Sequence, residues 1–397
     1  MSRDKRKYKV LYIPGWFPTK EHPNAAIFVK EHIKAIALYN NVILLYLSLD
    51  KIDQFLKIDS PAIGISNVKA FEIKINKSLP PFVRKIVSLI ALILMGWKVV
   101  NSYKIDLINT CSILSIAGMS AFVISKILRL PIVTNEHWSG YIRKNKMFQS
   151  LTIKTFGKFF LRNVTMICPV SRYLANAIEL LGIKRKKISV IPNVVEFPEN
   201  HLKPISLQKN IKTKRMLFIG LNFKVKGLDY ILDALELIKD KREDFLLEVI
   251  GGIDEKELNF YKKIVQEKNL DKYVFFLGVK AKNEVSRYID ECDFGIQPSL
   301  FETFGISILE FLAKGKPVIV SDIPPINELV PQKYSILVPP KDSEALCSAI
   351  DRMLDTYYIY PSKEMSEYVR NNFSYENIGK LFTKVYSLIM PVRKDED

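Results

Sequence analysis

The stretch Ile296–Ile323, IQPSLFETFGISILEFLAKGKPVIVSDI, decides the fold of the second half of the chain. Its apolar residues recur at helical spacing and predict a helix over Gly305–Ala313 with one apolar stripe, formed by Ile306, Leu309 and Ala313. A Gly-Lys-Pro turn ends this helix, and Val318–Val320 is typical of a buried strand. The stretch therefore predicts one helix–strand unit of a parallel α/β sheet.

Two glutamates stand eight positions apart in this stretch. Glu302 precedes the predicted helix and Glu310 lies inside it. The first amides of the helix, near Phe304–Ile306, have no intrahelical partner and carry partial positive charge, which suits an anion. A carboxylate on the loop suits sugar hydroxyls, and one in the helix suits a ribose diol. The spacing alone also fits one solvated and one capping glutamate.

The residues around the two glutamates favour the ligand-binding interpretation. Pro298-Ser299 comes before them, Phe-Gly between them and Gly-Lys-Pro-Val after them. This block resembles the signature of the GT-B glycosyltransferases of family 4, PS–x2–E–x–FG–x4–E–x2–A–x–G–x–PV. The resemblance implies that Glu302 faces the transferred sugar and Glu310 holds the nucleotide ribose. It also implies further donor contacts in the same block, from Thr303, Phe304, Gly305 and Ile306.

Length and composition indicate a folded protein with two domains. A chain of 397 residues is too long for one ordinary core, and 48% hydrophobic residues exclude a disordered chain. The four cysteines are far apart and form no CxxC pair, which indicates thiols in a reducing compartment. The basic N-terminus is followed only by a short strand and is not typical of a signal peptide.

Basic residues are concentrated in the first half. Residues 1–200 contain 30 Lys and Arg against 12 Asp and Glu, whereas the remainder contains 29 against 30. A basic half favours a partner with negative charge, such as a membrane surface, a phosphorylated lipid or a nucleic acid. The alternative is a solvated lysine-rich surface. Of these partners we expect an anionic membrane surface and no nucleic acid.

Short strands alternate with helices in the first half, which predicts a parallel, doubly wound sheet. The predicted strands are Tyr8–Ile13, Val42–Leu47, Ile105–Asn109, Pro131–Thr134, Met166–Val170 and Ile188–Ile191. The predicted helices are Ile27–Leu38, Ile116–Leu128 and one capped by Ser171 that ends at Gly182. We expect an N-terminal Rossmann-like, acceptor-binding domain over residues 1–200.

Two loops of this domain follow strand ends, where doubly wound folds bind ligands. The first contains Gly15, Ala25 and Ala26, at the place where the resembled family has a glycine-rich loop near the donor phosphates. The second contains His137. A lone histidine is often structural, but the resemblance implies that His137 reaches the donor sugar.

The segment Ile86–Trp97 has no charge over twelve residues, with Arg84, Lys85 and Lys98 at its edges. It is shorter than the roughly 20 residues that cross a bilayer. A buried helix and a membrane-surface helix with basic flanks both fit it.

The second half repeats the alternation of strands and helices. The predicted strands are Met216–Gly220, Leu246–Ile250, Val274–Leu277 and Phe294–Gln297, with a helix over Leu228–Ile238. We expect a linker at 201–214 and a C-terminal Rossmann-like, nucleotide-sugar-binding domain at 215–372. In GT-B proteins a last helix, here 373–390, crosses back to complete the first domain.

A phosphate-binding cation is predicted at the start of this second domain. Lys226-Gly227 precedes a helix, where a cation and free amides suit a diphosphate. The resembled family usually has an arginine directly after Gly220, but this chain has Leu221. Gly278 and Val279 follow a strand and are predicted to meet the nucleobase.

The resemblance thus implies a GT-B fold and a retaining glycosyltransferase that moves a sugar from a nucleotide-sugar donor to a saccharide or lipid-linked acceptor. Synthesis of cell-surface polysaccharide or lipopolysaccharide is the expected context, in the cytoplasm or on the inner face of its membrane. No DxD-like acidic pair follows a strand in the right context, so we expect no metal, and we expect no cofactor. Glu302 and His137 are the expected sugar-positioning residues. Two alternatives stay open: a GT-B nucleotide-sugar epimerase or hydrolase, and a non-catalytic basic membrane-binding protein.

Overall fold

A computed structural model describes residues 7–19, 26–142, 151–197 and 213–390, with only the backbone given for 151–154. The chain divides into two compact units. The first is formed by residues up to 194 together with those from 375 onward, and the second by residues 195–374. The sequence-predicted linker at 201–214 lies almost wholly outside the described residues. Within the described part, no helix combines the length and apolar character that crossing a bilayer requires.

The first unit is built on a seven-stranded sheet with the order β3-β4-β2-β1-β5-β6-β7. Its strands are β1 (Lys9–Pro14), β2 (Asn41–Asp50), β3 (Leu56–Asp59), β4 (Val68–Asn76), β5 (Leu107–Cys111), β6 (Ile132–Glu136) and β7 (Met166–Pro169). All neighbours pair in parallel except β3, which runs antiparallel to β4 at one edge. The central strands are buried along most of their length, as helices on both faces of a parallel sheet require.

The helices of the first unit connect these strands and return at the end of the chain. They are α1 (Ile27–Ala37), α2 (Pro81–Tyr103), α3 (Ile116–Ile127), α4 (Leu151–Asn163) and α5 (Arg172–Glu179), joined by the late helix α14 (Tyr375–Ile389). Ser171 caps α5 as predicted, because its side chain accepts from the amide of Leu174. Helix α14 packs against α1 and buries Phe382 and Tyr386 in the core.

The second unit contains a six-stranded, fully parallel sheet with the order β10-β9-β8-β11-β12-β13. Its strands are β8 (Lys214–Gly220), β9 (Phe245–Gly251), β10 (Val274–Gly278), β11 (Phe294–Gln297), β12 (Val318–Ser321) and β13 (Ser335–Val338). Its helices are α6 (Phe223–Lys226), α7 (Leu228–Ile238), α8 (Glu255–Glu267), α9 (Lys282–Glu291), α10 (Ile306–Ala313), α11 (Ile326–Leu329), α12 (Ser343–Thr356) and α13 (Ser362–Phe373). The α/β class with two Rossmann-like parallel sheets, predicted from the alternation of elements, is confirmed.

One predicted strand is wrong. Ile188–Ile191 does not form a strand, since only Ile188 makes a bridge, with Ile167 of β7. The segment runs beside β7, and the amides of Ser189 and Ile191 donate hydrogen bonds to carbonyl groups of β7. Its neighbour β7 is only four residues long and ends at Pro169, which has no amide hydrogen to donate in return.

Three strands are absent from the sequence predictions, namely β3, β4 and β13. The first two form the edge of the sheet in the first unit, where lysines and acids alternate with apolar residues. Strand β4 is nevertheless paired on both sides, in parallel with β2 and antiparallel with β3. Buried and partly exposed residues alternate along only part of β4, so the sequence contains no clear apolar pattern that would predict this strand.

The predicted last helix begins too early. Phe373 belongs to α13 in the second unit, and the chain is extended at Ser374 before α14 starts at Tyr375. A serine at such a break suits the start of a new helix, because its hydroxyl competes for backbone groups. The helix break therefore falls at the boundary between the two units.

The uncharged segment Ile86–Trp97 lies within α2, a helix of 23 residues. One face of α2 is buried, with Ala91, Leu92 and Val99 in the core, and the opposite face is exposed. The prediction of a buried helix therefore holds for one face of the segment and not for the other.

Candidate functional site

Two loops of the second unit meet at the carboxyl ends of its parallel strands. One follows β8 and contains α6, and the other follows β11 and leads into α10. The amide of Leu300 donates to the carbonyl of Val225 at 2.9 Å and holds the two loops together. This edge is where open α/β sheets bind ligands.

Lys226 and Glu302, predicted for different roles, are in direct contact. The Nζ of Lys226 lies 2.5 Å from Oε1 of Glu302, and the Ser299 hydroxyl donates to the same oxygen at 3.0 Å. Glu302 is buried, whereas the side chain of Lys226 is about a quarter exposed. Within the described part of the chain, Oε2 of Glu302 has no hydrogen-bond donor. This second oxygen is the one free to accept from a ligand hydroxyl.

Gly227 permits the approach of these two loops. Its φ is +82°, and a Cβ built on it would lie 2.1 Å from the carbonyl oxygen of Pro298. Gly227 closes α6 and begins α7. Lys226 therefore ends a four-residue helix that the sequence did not predict, while the predicted helix Leu228–Ile238 is confirmed.

Helix α10 starts from Gly305, whose φ of +93° is in the left-handed region. Phe304 is 2% exposed and packs against Phe373 with ring centroids 5.8 Å apart. Its side chain is therefore part of the core, and only its backbone is available for the predicted donor contact. Thr303 and Ile306 are partly buried beside it.

Glu310 lies one turn into α10 and is only partly exposed. Burial raises the pKa of its carboxyl to about 7, with a smaller opposing effect from Lys282. Glu196 adds to the rise and Lys314 opposes it. Among the described residues, none donates a hydrogen bond to this carboxyl group. A half-buried carboxyl group without a partner is suited to bind a ligand diol.

Two residues at this edge were not identified from the sequence. Ser299 holds Glu302, as described above, and Gln297 ends β11 with its amide nitrogen buried and unbonded within the described chain. The Gln297 side-chain oxygen accepts from the Ser307 hydroxyl at 3.3 Å. The Pro-Ser of the signature was a signal for Ser299, whereas nothing in the local sequence distinguishes Gln297 from other buried strand residues.

The other predicted donor contacts of this unit also lie at strand ends. Gly278 ends β10 at φ +70°, and no atom lies within 4 Å of the point that a Cβ would occupy, while Val279 after it is exposed. Leu221, which stands where the resembled family has arginine, is exposed directly after Gly220. The structure thus leaves these positions accessible, and their contacts with a donor stay predictions.

In the first unit, the loop after β1 approaches the turn after β5. The amide of Gly15 donates to the Cys111 carbonyl at 3.0 Å, and a Cβ on Gly15 would lie 2.7 Å from that oxygen. Ala26 precedes α1 at φ +51°, a conformation that suits glycine better than alanine. The predicted residue Ala25 lies outside the described residues.

His137 follows β6 and packs against two aromatic rings. Its ring centroid lies 4.4 Å from that of Phe28 and 5.3 Å from that of His32. Burial, with a smaller contribution from His32, lowers the pKa of His137 well below its ordinary value. His137 is therefore neutral near pH 7, and its Nε2 is buried with no hydrogen-bond partner in the described structure. It can offer a neutral hydrogen-bonding group and no positive charge.

Glu136, beside His137, is a buried residue that sequence reasoning missed. It accepts from the Ile113 amide at 3.0 Å and from the Thr134 hydroxyl at 2.7 Å. Burial raises the pKa of Glu136 to about 7, against the effect of these hydrogen bonds. The bond to Ile113 ties the turn after β5 to the end of β6, so Glu136 helps to fix the loop that carries His137.

The described residues contain no cluster of three His, Cys, Asp or Glu side chains that could hold a metal ion. The prediction of a metal-independent reaction stays a prediction.

Two family models match the chain. The model for glycosyl transferases group 1 matches residues 202–372, and that for glycosyltransferase family 4 matches residues 64–197. Together they cover most of both units.

Two relatives match this chain over about half of their own length. Alpha-monoglucosyldiacylglycerol synthase of Streptococcus pneumoniae is 28% identical over 253 residues, which are 59% of this chain and 56% of the relative. Amylovoran biosynthesis glycosyltransferase AmsK of Erwinia amylovora is 27% identical over 237 residues, which are 57% of this chain and 56% of the relative.

Solved structures resemble the chain over almost its full length. Sucrose-phosphate synthase from Thermosynechococcus elongatus has a TM-score of 0.72 and 21% identity, covering 97% of this chain and 99% of that one. Anabaena HepE in complex with UDP-glucose has a TM-score of 0.69 and 17% identity, covering 96% and 99%. At this level of identity the likeness shows the fold, which is GT-B.

Proposed function

This chain belongs to the GT4-type glycosyltransferases of GT-B fold, and from that premise we propose that it transfers a sugar from a nucleotide-sugar donor to a saccharide or lipid-linked acceptor with retention of configuration. The observation that carries the proposal is the contact between Lys226 and Glu302 at the carboxyl edge of the second sheet. It brings a cation for the diphosphate and a carboxylate for the sugar to one point.

The proposed roles follow from the chemistry of each group. Lys226 and the first amides of α10 stabilise the charge that develops on the leaving diphosphate. The free oxygen of Glu302 accepts from a hydroxyl of the transferred sugar, while its other oxygen orients Lys226. Glu310 accepts from the ribose diol. His137 contributes a neutral hydrogen-bonding group to the transferred sugar, and the reaction uses neither metal nor cofactor.

Two names among the relatives support the proposed context. One relative is a glucosyldiacylglycerol synthase and another a glycosyltransferase of amylovoran biosynthesis. We therefore propose a hexosyl donor and an acceptor used in cell-surface polysaccharide or lipopolysaccharide synthesis. The proposed place of action is the cytoplasm, since all four cysteines are free thiols.

Mass spectrometry tests the reaction. Purified protein is incubated with a panel of nucleotide sugars, with and without a mixture of saccharide and lipid-linked acceptors, and the Glu302→Gln variant serves as the control. Acceptor-dependent release of nucleoside diphosphate and a glycosylated product support the proposal. An isomerised or hydrolysed donor formed without acceptor would instead identify an epimerase or hydrolase, and no turnover or binding of any donor would reject the proposal.

Replacing Glu310 by alanine is expected to weaken binding of a nucleoside diphosphate by about 1.5–3 kcal/mol, because the ribose diol loses a charged acceptor. Calorimetry at pH 8 measures the change. Since the pKa of Glu310 is about 7 in the free protein, wild-type affinity should also fall as the pH drops below 7. Unchanged affinity in the variant contradicts the ribose role.

The matched variant Glu310→Gln separates binding from stability. The pKa of Glu310 is raised from 4.5 to about 7 in the folded protein, so protonation of this carboxyl group stabilises the fold. This contribution to the free energy of unfolding is complete below pH 4.5 and is lost as the pH rises through 7. A glutamine avoids the cost of ionisation. At pH 8 the free energy of unfolding of the ligand-free variant should therefore exceed that of wild type by about 1–3 kcal/mol, and its unfolding temperature should be higher. The difference should nearly vanish at pH 4, below the pKa of the unfolded chain.

A further inference from the structure

Helix α2 exposes a continuous apolar stripe formed by Phe82, Ile86, Ile90, Leu94 and Trp97. These residues are 41–74% exposed and, at 100° per residue, fall within an arc of about 120°. The stripe is about 22 Å long at 1.5 Å per residue. In the described chain no other helix exposes as many large apolar side chains. An exposed apolar surface of this kind indicates an interaction site.

The helices packed next to α2 also expose apolar residues. Helix α3 packs on α2, where the Ile124 side chain lies against Gly96. Helix α4 packs on α3 through Phe122, whose ring centroid is 5.0 Å from that of Phe160. Further exposed apolar residues lie on these two helices, at Ile127, Phe156 and Phe159.

The charge on the three helices has a single sign. None of α2, α3 and α4 contains an aspartate or glutamate, and together they carry seven basic residues: Arg84, Lys85, Lys98, Lys126, Lys154, Lys158 and Arg162. Lys85 and Lys98 are exposed on α2 itself. On the helical wheel Lys98 borders the stripe, so its charge can reach a surface that the stripe enters.

We propose that α2 docks on an anionic lipid bilayer, with the stripe inserted at the boundary between headgroups and acyl chains. An apolar helix face bordered by lysine and arginine, with an aromatic residue on it, is the pattern of a helix that lies in the plane of the membrane interface. A protein partner would need acidic side chains around an apolar groove, whereas an anionic bilayer supplies both the charge and the apolar layer without a specific shape. The bilayer is therefore the occupant that the charge and the stripe favour.

Vesicle sedimentation tests the proposal with the full chain. Wild-type protein should sediment with phosphatidylglycerol–phosphatidylcholine vesicles at low salt, should bind pure phosphatidylcholine more weakly, and should be partly released at high salt. The variant Ile90→Ser/Leu94→Ser should bind at least tenfold more weakly, and Lys85→Gln/Lys98→Gln roughly fivefold for each charge removed. All four side chains are exposed, so the thermal unfolding temperature should not change.

Matched controls come from the second unit. Leu237→Ser/Phe260→Ser removes two equally exposed apolar side chains, and Lys256→Gln/Lys262→Gln removes two exposed charges. Both controls should sediment like wild type.

Brominated lipid gives a readout at the stripe. It should quench part of the tryptophan fluorescence of the wild type, and Trp97→Phe should remove that part. The proposal is overturned if wild type stays in the supernatant at low salt, or if the stripe variant binds as well as its control. It is also overturned if the stripe mutations abolish a dimer in solution while vesicle binding is absent, since the face is then an interface between two copies of this chain.

Discussion

Lys226→Ala is expected to weaken binding of a nucleoside diphosphate and of a nucleotide sugar by about 2–4 kcal/mol, while binding of the free nucleoside changes little. The physical reason is the position of the ammonium group, which Glu302 holds at the sheet edge while the Ser299 hydroxyl donates to the same Glu302 oxygen. Calorimetry with a nucleoside and its diphosphate separates the two effects. Equal loss for both ligands would show that Lys226 acts only on the fold.

The contact with Glu302 requires a control for stability. Lys226→Ala leaves a buried carboxylate without its counter-charge, so the thermal unfolding temperature should fall as well. In the double variant Lys226→Ala/Glu302→Gln the stability should recover, because no uncompensated charge remains, but diphosphate binding should not. Glu302→Gln alone should keep nucleotide affinity near normal and lower turnover.

A cation at position 221 tests the comparison with the family. Leu221 is exposed at the same strand end, so Leu221→Arg in the Lys226→Ala background should recover part of the diphosphate affinity. No recovery would show that position 221 does not meet the phosphates in this protein.

Gly227→Ala is expected to destabilise the protein by about 3 kcal/mol or more. A Cβ at this position would lie 2.1 Å from the Pro298 carbonyl oxygen, and the φ of +82° adds the cost of the left-handed conformation. The added Cβ should push the loop that contains Gly227 away from Pro298. Because Lys226 directly precedes Gly227, this displacement should also weaken diphosphate binding. Chemical denaturation followed by circular dichroism measures the free energy of unfolding.

Gly278→Ala is the matched control for this effect. Gly278 has a similar φ of +70°, but no atom lies within 4 Å of an added Cβ. It should therefore lose only about 1–2 kcal/mol, the cost of the conformation itself. If both variants lose the same stability, the close approach to Pro298 is not what requires glycine at position 227.

Local sequence was sufficient to predict the element that carries the two glutamates. The apolar spacing after Gly305 and the Gly-Lys-Pro turn define α10, and they place Glu302 before the helix and Glu310 within it. These features depend on residues a few positions apart, where periodicity and turn chemistry act directly.

The contact between Lys226 and Glu302 could not be predicted in this way. The two residues are 76 positions apart, and their approach depends on Gly227 packing against Pro298. The raised pKa of Glu310 likewise follows from the burial of its side chain in the folded unit, which the residues next to it in the sequence do not encode.

Helix α2 shows that amino-acid composition alone does not determine which faces of a helix are buried. A run of twelve uncharged residues is equally consistent with a core helix and with a helix exposed on one side. Which of the two forms depends on what covers the second face, and within the described chain Ile90 and Leu94 stay more than half exposed.

The return of α14 to the first unit also determines the order in which the two units can be completed during synthesis. The second unit is one continuous segment, residues 195–374, and has all of its chain once Ser374 has left the ribosome. The first unit must still wait for Phe382 and Tyr386, which fill its core, and for Gly379, where an added Cβ would lie 2.3 Å from the Ala35 carbonyl oxygen. The first unit can therefore be completed only after the second unit has all of its chain, and the face of α1 that receives α14 stays uncovered until translation reaches the last helix.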